Sequence, residues 1–353
     1  MRPRAGDPDR LRRLDEVLAG HVDRGDIAGL TWLVARGGDL QTGSAGPVDR
    51  TTIYRISSTT KPITAVAALT LVEECRLRLD DPVDDLLPEL ADRQVLASPE
   101  GPLDATVPAE RPITVHDLLT FRSGLGFDFA ASGAQPVLEA LAARGLPPGP
   151  PAPQRPPGPD EWMRIVGSVP LAHQPGTRWL YHTSADILGV LVSRAAGRPL
   201  GEVLAERVLG PLGMDDTAFF VPEAERHRFG PVYVVDPGTG ERSVYDPPDG
   251  QWATPPAFPG GGAGLVSTVD DLAAFAGMLL AGGVHRGRRL LSRPTVEAMT
   301  TNHLTPAQLA AAAPSPDGAL GWGLGLGVHV RRTGTALSAG SYGWDGGLGS
   351  VWA

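Results

Sequence analysis

The chain has 353 residues, 42% hydrophobic and 20% charged, so it can bury a real core and is not a disordered tail. Its 31 Lys and Arg against 40 Asp and Glu leave a net charge of -9, which argues against a nucleic-acid partner because a phosphate backbone would be repelled. The single cysteine, Cys75, excludes an internal disulfide and a cysteine-rich metal site, and we expect a buried thiol there.

The start of the chain, "MRPRAGDPDRLRRLDEVL", is charged, and no apolar stretch follows it. This pattern predicts neither a signal peptide nor a membrane anchor. The sequence has no run of about 18 apolar residues, so we expect no membrane partner. Together these observations predict a cytoplasmic protein.

The first predicted elements are a helix, a hairpin and a second helix. Apolar residues between positions 10 and 24 have the spacing of a helix that lays one face on a core. "GLTWLVARGGDLQTGSAG" has two runs around a Gly-Gly-Asp turn, which is typical of a β-hairpin. Residues 62–72 are apolar on every side, so we predict a buried helix with Ser58 and Lys61 at its N-terminal end.

The middle of the chain is predicted to be helical and rich in loops. The segments "RPITVHDLL", "TSADILGVLVSRAAG" and "GEVLAERVLGPLGM" carry apolar residues three and four apart, with Gly197 and Gly210 where helices end. Eight prolines in residues 147–159 predict a stiff surface segment, the alternative being a proline-rich ligand for another protein.

A glycine-rich segment follows, "PGGGAGLVSTVDDLAAFAGMLLAGG", without the Gly-Lys-Ser/Thr of a phosphate-binding loop. Ser267 and Asp270 have the spacing of a capping box, and the apolar positions after them predict an ordinary helix that the glycines approach closely. Further on, the alternation in residues 324–330 predicts a strand.

Ser58 and Lys61 are the first candidates for chemistry. Residues three apart on a helix share one face, so the two side chains can meet. The amine could take the proton of the serine if its surroundings keep it neutral, and the N-H groups of the helix start could stabilise an oxyanion. The alternative is a serine cap beside a surface lysine, but a charge at the edge of a helix without a polar face requires a reason.

Other catalytic arrangements lack their sequence signatures. There is no Gly-x-Ser-x-Gly, and the eight histidines show no zinc-ligand spacing, so we expect neither metal nor cofactor. His116 and His182 could each serve a Ser-His pair, although a histidine in an amphipathic stretch is more often simply packed. Of the two, His182 is kept as a minor candidate.

A resemblance extends over residues 10–353. In order, the chain contains "YRISSTTKPITAVAALTLVEECRLRLDDPV", "RPITVHDLLTFRSGL", "GTRWLYHTSADILGVLVSRAAG", "GGGAGLVSTVDDLAAFAGMLLAGG" and "YGWDGGLGS". These segments resemble the serine β-lactamase superfamily, in particular its class C-like branch with the family VIII carboxylesterases. The resemblance implies an α+β fold of the β-lactamase/transpeptidase type, an antiparallel sheet flanked by helices.

The same resemblance implies a division of the chain. Residues 1–80 and 285–353 would form an α/β region, and residues 81–284 a helical, loop-rich region. A further strand and a closing helix of the family would be missing after residue 353, and unpaired strand edges are then expected.

By the same resemblance, Ser58 is the acylated nucleophile and Lys61 its base. Tyr181 in "YHT" resembles the tyrosine of the Tyr-x-Asn motif, thought to move protons between Ser58, Lys61 and the leaving group. Without the resemblance, Tyr181 would equally suit a hydrophobic plug beside Trp179.

The third motif of the family, Lys-Thr-Gly, corresponds to Trp344, Asp345 and Gly346. Gly347 then resembles the residue whose N-H completes the oxyanion hole, the alternative being a plain glycine-rich hairpin. Thr183 replaces the usual asparagine, and Trp344 replaces a cation that would hold a β-lactam carboxylate. An apolar wall suits a neutral ester better.

The resulting prediction is a serine hydrolase that forms an acyl-enzyme, a carboxylesterase on small neutral esters. Its expected partner is a small-molecule ester or amide. The alternatives are a β-lactamase, a D-amino-acid peptidase or an acyltransferase of the same family, or a truncated relative that only binds ligands.

Overall fold

The computed structural model describes residues 8–236, 238–311, 318–334 and 337–353, so the first seven residues of the charged start lie outside it. The helices of the described ranges are α1 (Pro8–Asp23), α2 (Thr60–Glu73), α3 (Val115–Leu119), α4 (Pro136–Ala143), α5 (Pro159–Gly167), α6 (Thr183–Ala196), α7 (Leu200–Leu204), α8 (Gly210–Leu212), α9 (Val269–Leu280), α10 (Arg293–Met299) and α11 (Pro306–Ala311). Short 3₁₀ helices span Ser57–Thr59, Pro88–Leu90 and Glu223–Arg228.

The strands are short and pair antiparallel. They are β1 (Leu30–Arg36), β2 (Asp39–Ala45), β3 (Tyr54–Arg55), β4 (Gln94–Leu96), β5 (Thr106–Pro108), β6 (Val232–Val235), β7 (Arg242–Asp246), β8 (Val266–Ser267), β9 (Val284–His285), β10 (Arg288–Arg289), β11 (Leu320–Trp322), β12 (Gly327–His329), β13 (Tyr342–Asp345) and β14 (Val351–Trp352). One sheet has the order β11-β12-β13-β14, and the pairs β1-β2, β3-β8, β4-β5, β6-β7 and β9-β10 stand apart. This mixture of helices and antiparallel strands confirms the predicted fold class.

The predicted first helix and hairpin are confirmed. β1 and β2 pair in register through a turn in which Gly37 and Gly38 adopt φ of 60° and 94°, values typical of a tight hairpin turn. α1 lies on β2, and the Trp32 indole N-H donates to Asp15 Oδ1 at 3.0 Å. The contact is shallower than expected, because α1 covers one face of a two-stranded sheet and Val17 on it remains 54% exposed.

α2 is buried along its length, as its sequence predicts. Every residue from Thr60 to Leu71 is buried, and the helix packs against α6. The glycines of residues 260–262 lie against these two helices. The sequence had suggested that they approach α9, so this expectation is corrected. A Cβ added at Gly261 would lie 2.8 Å from Ala185 O and 3.0 Å from Thr64 Cγ2, so only glycine fits at this approach.

The strand predicted over residues 324–330 is wrong in extent. Only Gly327–His329 is extended, because Gly325 has φ of 87° and the Gly323 N-H donates to Leu326 O at 2.9 Å, closing a turn between β11 and β12. The alternating leucines are nevertheless buried. The sequence therefore located the core positions but missed the turn that glycine permits.

The helix end predicted at Gly197 is confirmed by its left-handed φ of 70°, whereas the one at Gly210 is wrong. A π-helical turn, Ala205–Leu209, links α7 to α8, and the helical path ends at Gly213 with φ of 67°. Because Pro211 has no N-H to donate, the wider turn lets the helix pass it.

Two smaller predictions are also wrong. Thr268 and not Ser267 caps α9, and its side chain accepts the Asp271 N-H at 3.3 Å. Cys75 is exposed, because it follows the end of α2 at a left-handed φ of 58° where the chain turns toward solvent.

The proline-rich segment 147–159 has neither helix nor strand before α5 begins. It follows the edge of β7, where the Tyr245 hydroxyl donates to the Pro151 carbonyl at 3.1 Å and Gln154 Nε2 donates to Thr254 O at 2.8 Å. Within the described ranges, the helices are too short or too polar to cross a membrane.

Candidate active site

Ser58 lies in the 3₁₀ turn that leads directly into α2, where it is 9% exposed. The chain enters this turn from β3, and the Ile56 N-H donates to Leu265 O at 3.1 Å. On the other side, the Leu265 N-H donates to Thr60 Oγ1 at 3.1 Å. The backbone of Leu265, directly after the glycines, thus holds the serine at the start of the helix.

A buried ion pair supports this turn from below. Arg55, three residues before Ser58, pairs with Asp246 of β7 through Nε and Oδ2 at 2.7 Å. Its guanidinium also lies 3.8 Å from the ring centroid of Phe229. The pair fixes the strand from which the turn starts.

Lys61 is the only lysine in the sequence and is 1% exposed, which excludes a surface charge. Its Nζ donates to Ser58 Oγ at 2.9 Å and to Gly262 O at 2.7 Å, and it lies 3.2 Å from His182 Nδ1. The two side chains meet as their three-residue spacing predicts. The proton on Ser58 is therefore within direct reach of the amine.

Tyr181 covers Lys61 from the loop before α6. Two backbone hydrogen bonds with Phe127, at 2.8 and 2.9 Å, hold it there, and its ring centroid lies 4.7 Å from Nζ. The Trp344 indole N-H, from β13, donates to the Tyr181 hydroxyl oxygen at 2.8 Å. Trp344 therefore makes a polar contact as well as the apolar wall expected from sequence.

His182 is held in a strained turn beside Tyr181. Its φ of 82° and ψ of -67° are those of a γ-turn, and the Thr183 N-H closes it on Tyr181 O at 3.2 Å. This conformation directs the imidazole toward Lys61. Among the described residues, no hydrogen bond joins the Thr183 side chain to Lys61, so the histidine makes that polar contact instead.

Asp186 lies one helical turn after His182 and completes a ring of contacts. Its Oδ2 lies 3.1 Å from His182 Nε2, and its Oδ1 accepts the Gly262 N-H at 2.8 Å, while the Gly262 carbonyl accepts from Lys61. Burial alone would raise the pKa of Asp186, but the neighbouring His182 together with Lys61 and the Gly262 N-H outweighs it, so the pKa is lowered. A carboxylate thus faces the imidazole.

The wall around Tyr181 is aromatic. Phe129, 45% exposed, lies 5.3 Å from the Tyr181 ring, and Trp322 meets Trp344 edge to face at 4.5 Å. The full set is Phe121, Phe129, Trp179, Tyr181, Trp322 and Trp344. Phe129 and Tyr181 offer apolar ring surface beside the reactive groups, and the other four rings are buried behind them.

The turn after β13 lies against the backbone just ahead of Ser58. The Gly346 N-H donates to Ser350 O at 2.7 Å, and the Ser350 hydroxyl donates to Ile56 O at 2.7 Å. A Cβ at Gly346 would lie 2.4 Å from Ile56 O, so glycine is required there. Gly347 follows in the same turn, and its N-H as a partner for an oxyanion stays a prediction.

Comparison with known families decides the identity. The family model described as Beta-lactamase matches residues 14–353. The chain belongs to the β-lactamase family. The resemblance carried by the sequence motifs is thereby confirmed.

Relatives of this β-lactamase-family chain include hydrolases. An uncharacterized protein of Mycobacterium tuberculosis (strain CDC 1551 / Oshkosh) is 40% identical over 315 residues, 87% of this chain and 75% of that protein. Esterase EstB of Burkholderia gladioli is 35% identical over 283 residues, 74% and 67% of the two chains. The solved structure of EstCE1, a hydrolase with promiscuous acyltransferase activity, has a TM-score of 0.75 at 24% identity and covers 97% of this chain and 89% of that one. The chain is accordingly a serine hydrolase of the β-lactamase family with this fold.

Sequence reasoning missed two members of the site of this family member. Asp186 follows His182 by four residues on a predicted helix, and that spacing was the available signal for the pair. Gly262 carried no local signal, since its carbonyl and N-H acquire their roles only when the glycine-rich segment meets α2 and α6.

Proposed function

We propose that the chain is a carboxylesterase that forms an acyl-enzyme on Ser58 and acts on small neutral esters. The observation that carries the proposal is the buried amine of Lys61, 2.9 Å from Ser58 Oγ. Every other Lys-or-Arg position in the sequence is arginine, whose guanidinium keeps its charge and cannot act as a base. The one lysine stands where a proton has to be taken up, which supports a role in catalysis.

In the proposed reaction, Ser58 Oγ attacks the ester carbonyl carbon as Lys61 takes the hydroxyl proton. Backbone N-H groups at the start of α2 and at Gly347 would stabilise the negative charge on the carbonyl oxygen. The carbon-oxygen bond of the ester then breaks, and the proton passes from Lys61 through the Tyr181 hydroxyl to the leaving alcohol. Water attacks the acyl-Ser58 ester by the reverse route and releases the acid.

The hydrogen bond from Trp344 supports the part given to Tyr181. Because the Trp344 indole N-H donates to the Tyr181 hydroxyl oxygen, the hydroxyl hydrogen of Tyr181 remains free to be donated to another acceptor. The same bond stabilises negative charge on that oxygen while a proton is in transit.

The neutral-ester preference rests on the wall of the site. By its position in the third motif, Trp344 replaces a cation that would hold a carboxylate, and the exposed ring of Phe129 extends the apolar surface beside Tyr181. The esterases among the relatives are in keeping with this preference.

The deciding experiment is the intact mass of purified protein after exposure to a fluorophosphonate, followed by peptide mapping. We expect one adduct, on Ser58, that disappears in Ser58→Ala. The matched control is Ser57→Ala, because that neighbouring hydroxyl is buried and has no hydrogen-bond partner among the described residues. A folded wild-type protein without an adduct would refute the catalytic proposal and favour a ligand-binding relative.

Substrate class is tested separately with matched panels. We expect hydrolysis of short-chain p-nitrophenyl esters to exceed turnover of a cephalosporin and of a D-alanyl peptide. Adding a competing alcohol then shows whether the acyl group passes to water or to another acceptor. Faster turnover of the D-peptide or the cephalosporin would overturn the ester assignment while leaving the acyl-enzyme intact.

A further inference from the structure

The contacts of Lys61, His182, Asp186 and Gly262 form a closed hydrogen-bonded ring. Lys61 Nζ contacts His182 Nδ1 at 3.2 Å, His182 Nε2 contacts Asp186 Oδ2 at 3.1 Å, Asp186 Oδ1 accepts from Gly262 N at 2.8 Å, and Gly262 O accepts from Nζ at 2.7 Å. Three separate parts of the chain, α2, the start of α6 and the glycine-rich segment, thus converge on one amine.

The donors and acceptors of this ring define one histidine tautomer. The Asp186 carboxylate can only accept, so the imidazole hydrogen lies on Nε2 and Nδ1 carries a lone pair. Nδ1 is then an acceptor for an N-H of Lys61. A neutral imidazole with the opposite tautomer would leave two acceptors facing each other at Asp186.

That tautomer also determines where the amine of Lys61 points. A neutral amine has two hydrogens and one lone pair. When Gly262 O and His182 Nδ1 accept the two hydrogens of the neutral amine, the lone pair is left to accept the hydroxyl hydrogen of Ser58 across the 2.9 Å contact, which the charged amine would make as a donor. A hydrogen on Nδ1 would instead engage the lone pair and turn it away from the serine.

The backbone at His182 indicates that this contact is maintained at a cost. A non-glycine residue in a γ-turn is strained and persists only where its surroundings hold it. The contacts of the imidazole with Lys61 and Asp186 stabilise this conformation, as does the hydrogen bond from the Thr183 N-H to Tyr181 O. The strained residue is therefore His182, the residue just before α6 whose side chain contacts Lys61.

We infer that His182, with its tautomer fixed by Asp186, is a positioning residue that directs the lone pair of Lys61 at Ser58. The inference rests on the proposed function, because it concerns the base of the same acylation step. The titratable groups that face the imidazole are Lys61 from α2, Asp186 from α6 and the adjacent Tyr181, whose ring centroid is 6.1 Å away.

The first test reads the tautomer without relying on activity. Long-range ¹H-¹⁵N spectra of histidine-labelled protein should show His182 with hydrogen on Nε2, the signal being assigned by its loss in His182→Asn. Asp186→Asn is nearly isosteric and keeps an oxygen for the Gly262 N-H, but its amide would donate to Nε2 and move the hydrogen to Nδ1. A wild-type imidazole protonated on Nδ1 alone would overturn the inference.

The second test is the rate of fluorophosphonate labelling of Ser58 as a function of pH. We expect Asp186→Asn and His182→Gly to lower the rate by about 10- to 100-fold, less than the roughly 100- to 10,000-fold that a positioned base contributes, because Lys61 itself remains. Glycine removes the imidazole without adding strain at φ of 82°. His182→Asn, which tolerates that φ and offers an oxygen near the Nδ1 position, should restore most of the rate.

Asp271→Asn is the matched control, since it makes the same chemical change at a buried carboxylate outside the ring. Its labelling rate and pH profile should match those of the wild type. Wild-type labelling with unchanged rates and profiles in the ring variants would overturn the inference alone. An unlabelled wild type would refute the proposed function, and the role of His182 with it.

Discussion

Replacing Asp246 by alanine should destabilise the protein strongly, because its partner is a guanidinium cut off from water. The side chains of Arg55 and Asp246 are 3% and 2% exposed. Arg55 also donates to the carbonyls of Gly230 and Pro247 at 2.7 and 2.9 Å and lies against the ring of Phe229. Burial lowers the pKa of Arg55 while Asp246 opposes that shift, so the carboxylate is the charge that keeps the guanidinium stable in place.

The magnitude follows from this burial. Removing one partner of a fully buried pair leaves an uncompensated charge and costs about 3–5 kcal/mol. Whole domains are stable by about 5–15 kcal/mol, so the loss is a large fraction of the total. The melting temperature of a chain of this length should fall by roughly 4–7 °C. Arg55 lies three residues before Ser58, so the turn that holds the nucleophile should be lost when the variant unfolds. Labelling of Ser58 should therefore decline at the same temperature.

The assay is urea unfolding followed by circular dichroism, with calorimetry as a second probe. The matched control is Asp270→Ala, which breaks a two-pronged pair with Arg50 whose side chains are 52% and 45% exposed and should cost no more than about 1 kcal/mol. The double variant Arg55→Met with Asp246→Leu should recover much of the loss by replacing charges with apolar groups. If Asp246→Ala were as mild as the control, the argument from an uncompensated buried charge would be refuted.

Two further predictions concern a titration and a hydrogen bond. Burial raises the pKa of Asp271 to about 6 against the hydrogen bond from Thr217, so between the ordinary carboxyl value and about pH 6 the folded state keeps a proton that the unfolded state has lost. The stability from this group is therefore present at low pH and falls by roughly 2–3 kcal/mol as the pH rises through that window. Urea midpoints at about pH 4 and about pH 7.5 should show this fall in the wild type and not in Asp271→Asn, and parallel curves would contradict it. Trp344→Phe keeps the ring wall but loses the hydrogen bond to Tyr181, so kcat/KM for a p-nitrophenyl ester should fall about 5- to 10-fold, and an unchanged value would exclude that bond from catalysis.

The features predicted well from sequence are those that depend on local spacing. The apolar run after Ser58 predicts α2, and the three-residue interval predicts contact between Ser58 and Lys61. The errors arise where tertiary packing or backbone conformation decides the outcome. Gly325 interrupts an alternating pattern with a turn, and the helical path continues through Gly210 because a π-turn accommodates the following proline.

The ring around Lys61 lies between these two cases. The spacing of His182 and Asp186 was visible in the sequence, yet neither residue could be connected to Lys61 before α6 was known to lie against α2. Gly262 contributes backbone atoms only, so residue type alone could not reveal its role.

Because its only lysine is buried, this protein should react unusually with amine-reactive reagents. Amine-reactive acylating reagents have no lysine on the described surface to attack, and the α-amino group is the other primary amine of the chain. Modification of Lys61 therefore requires the reagent to enter the site beside Ser58, and the rate at which the lysine is acylated measures access to that site. The protein thus carries a native reporter of access to its own active site, and exposed lysines contribute no background to the signal.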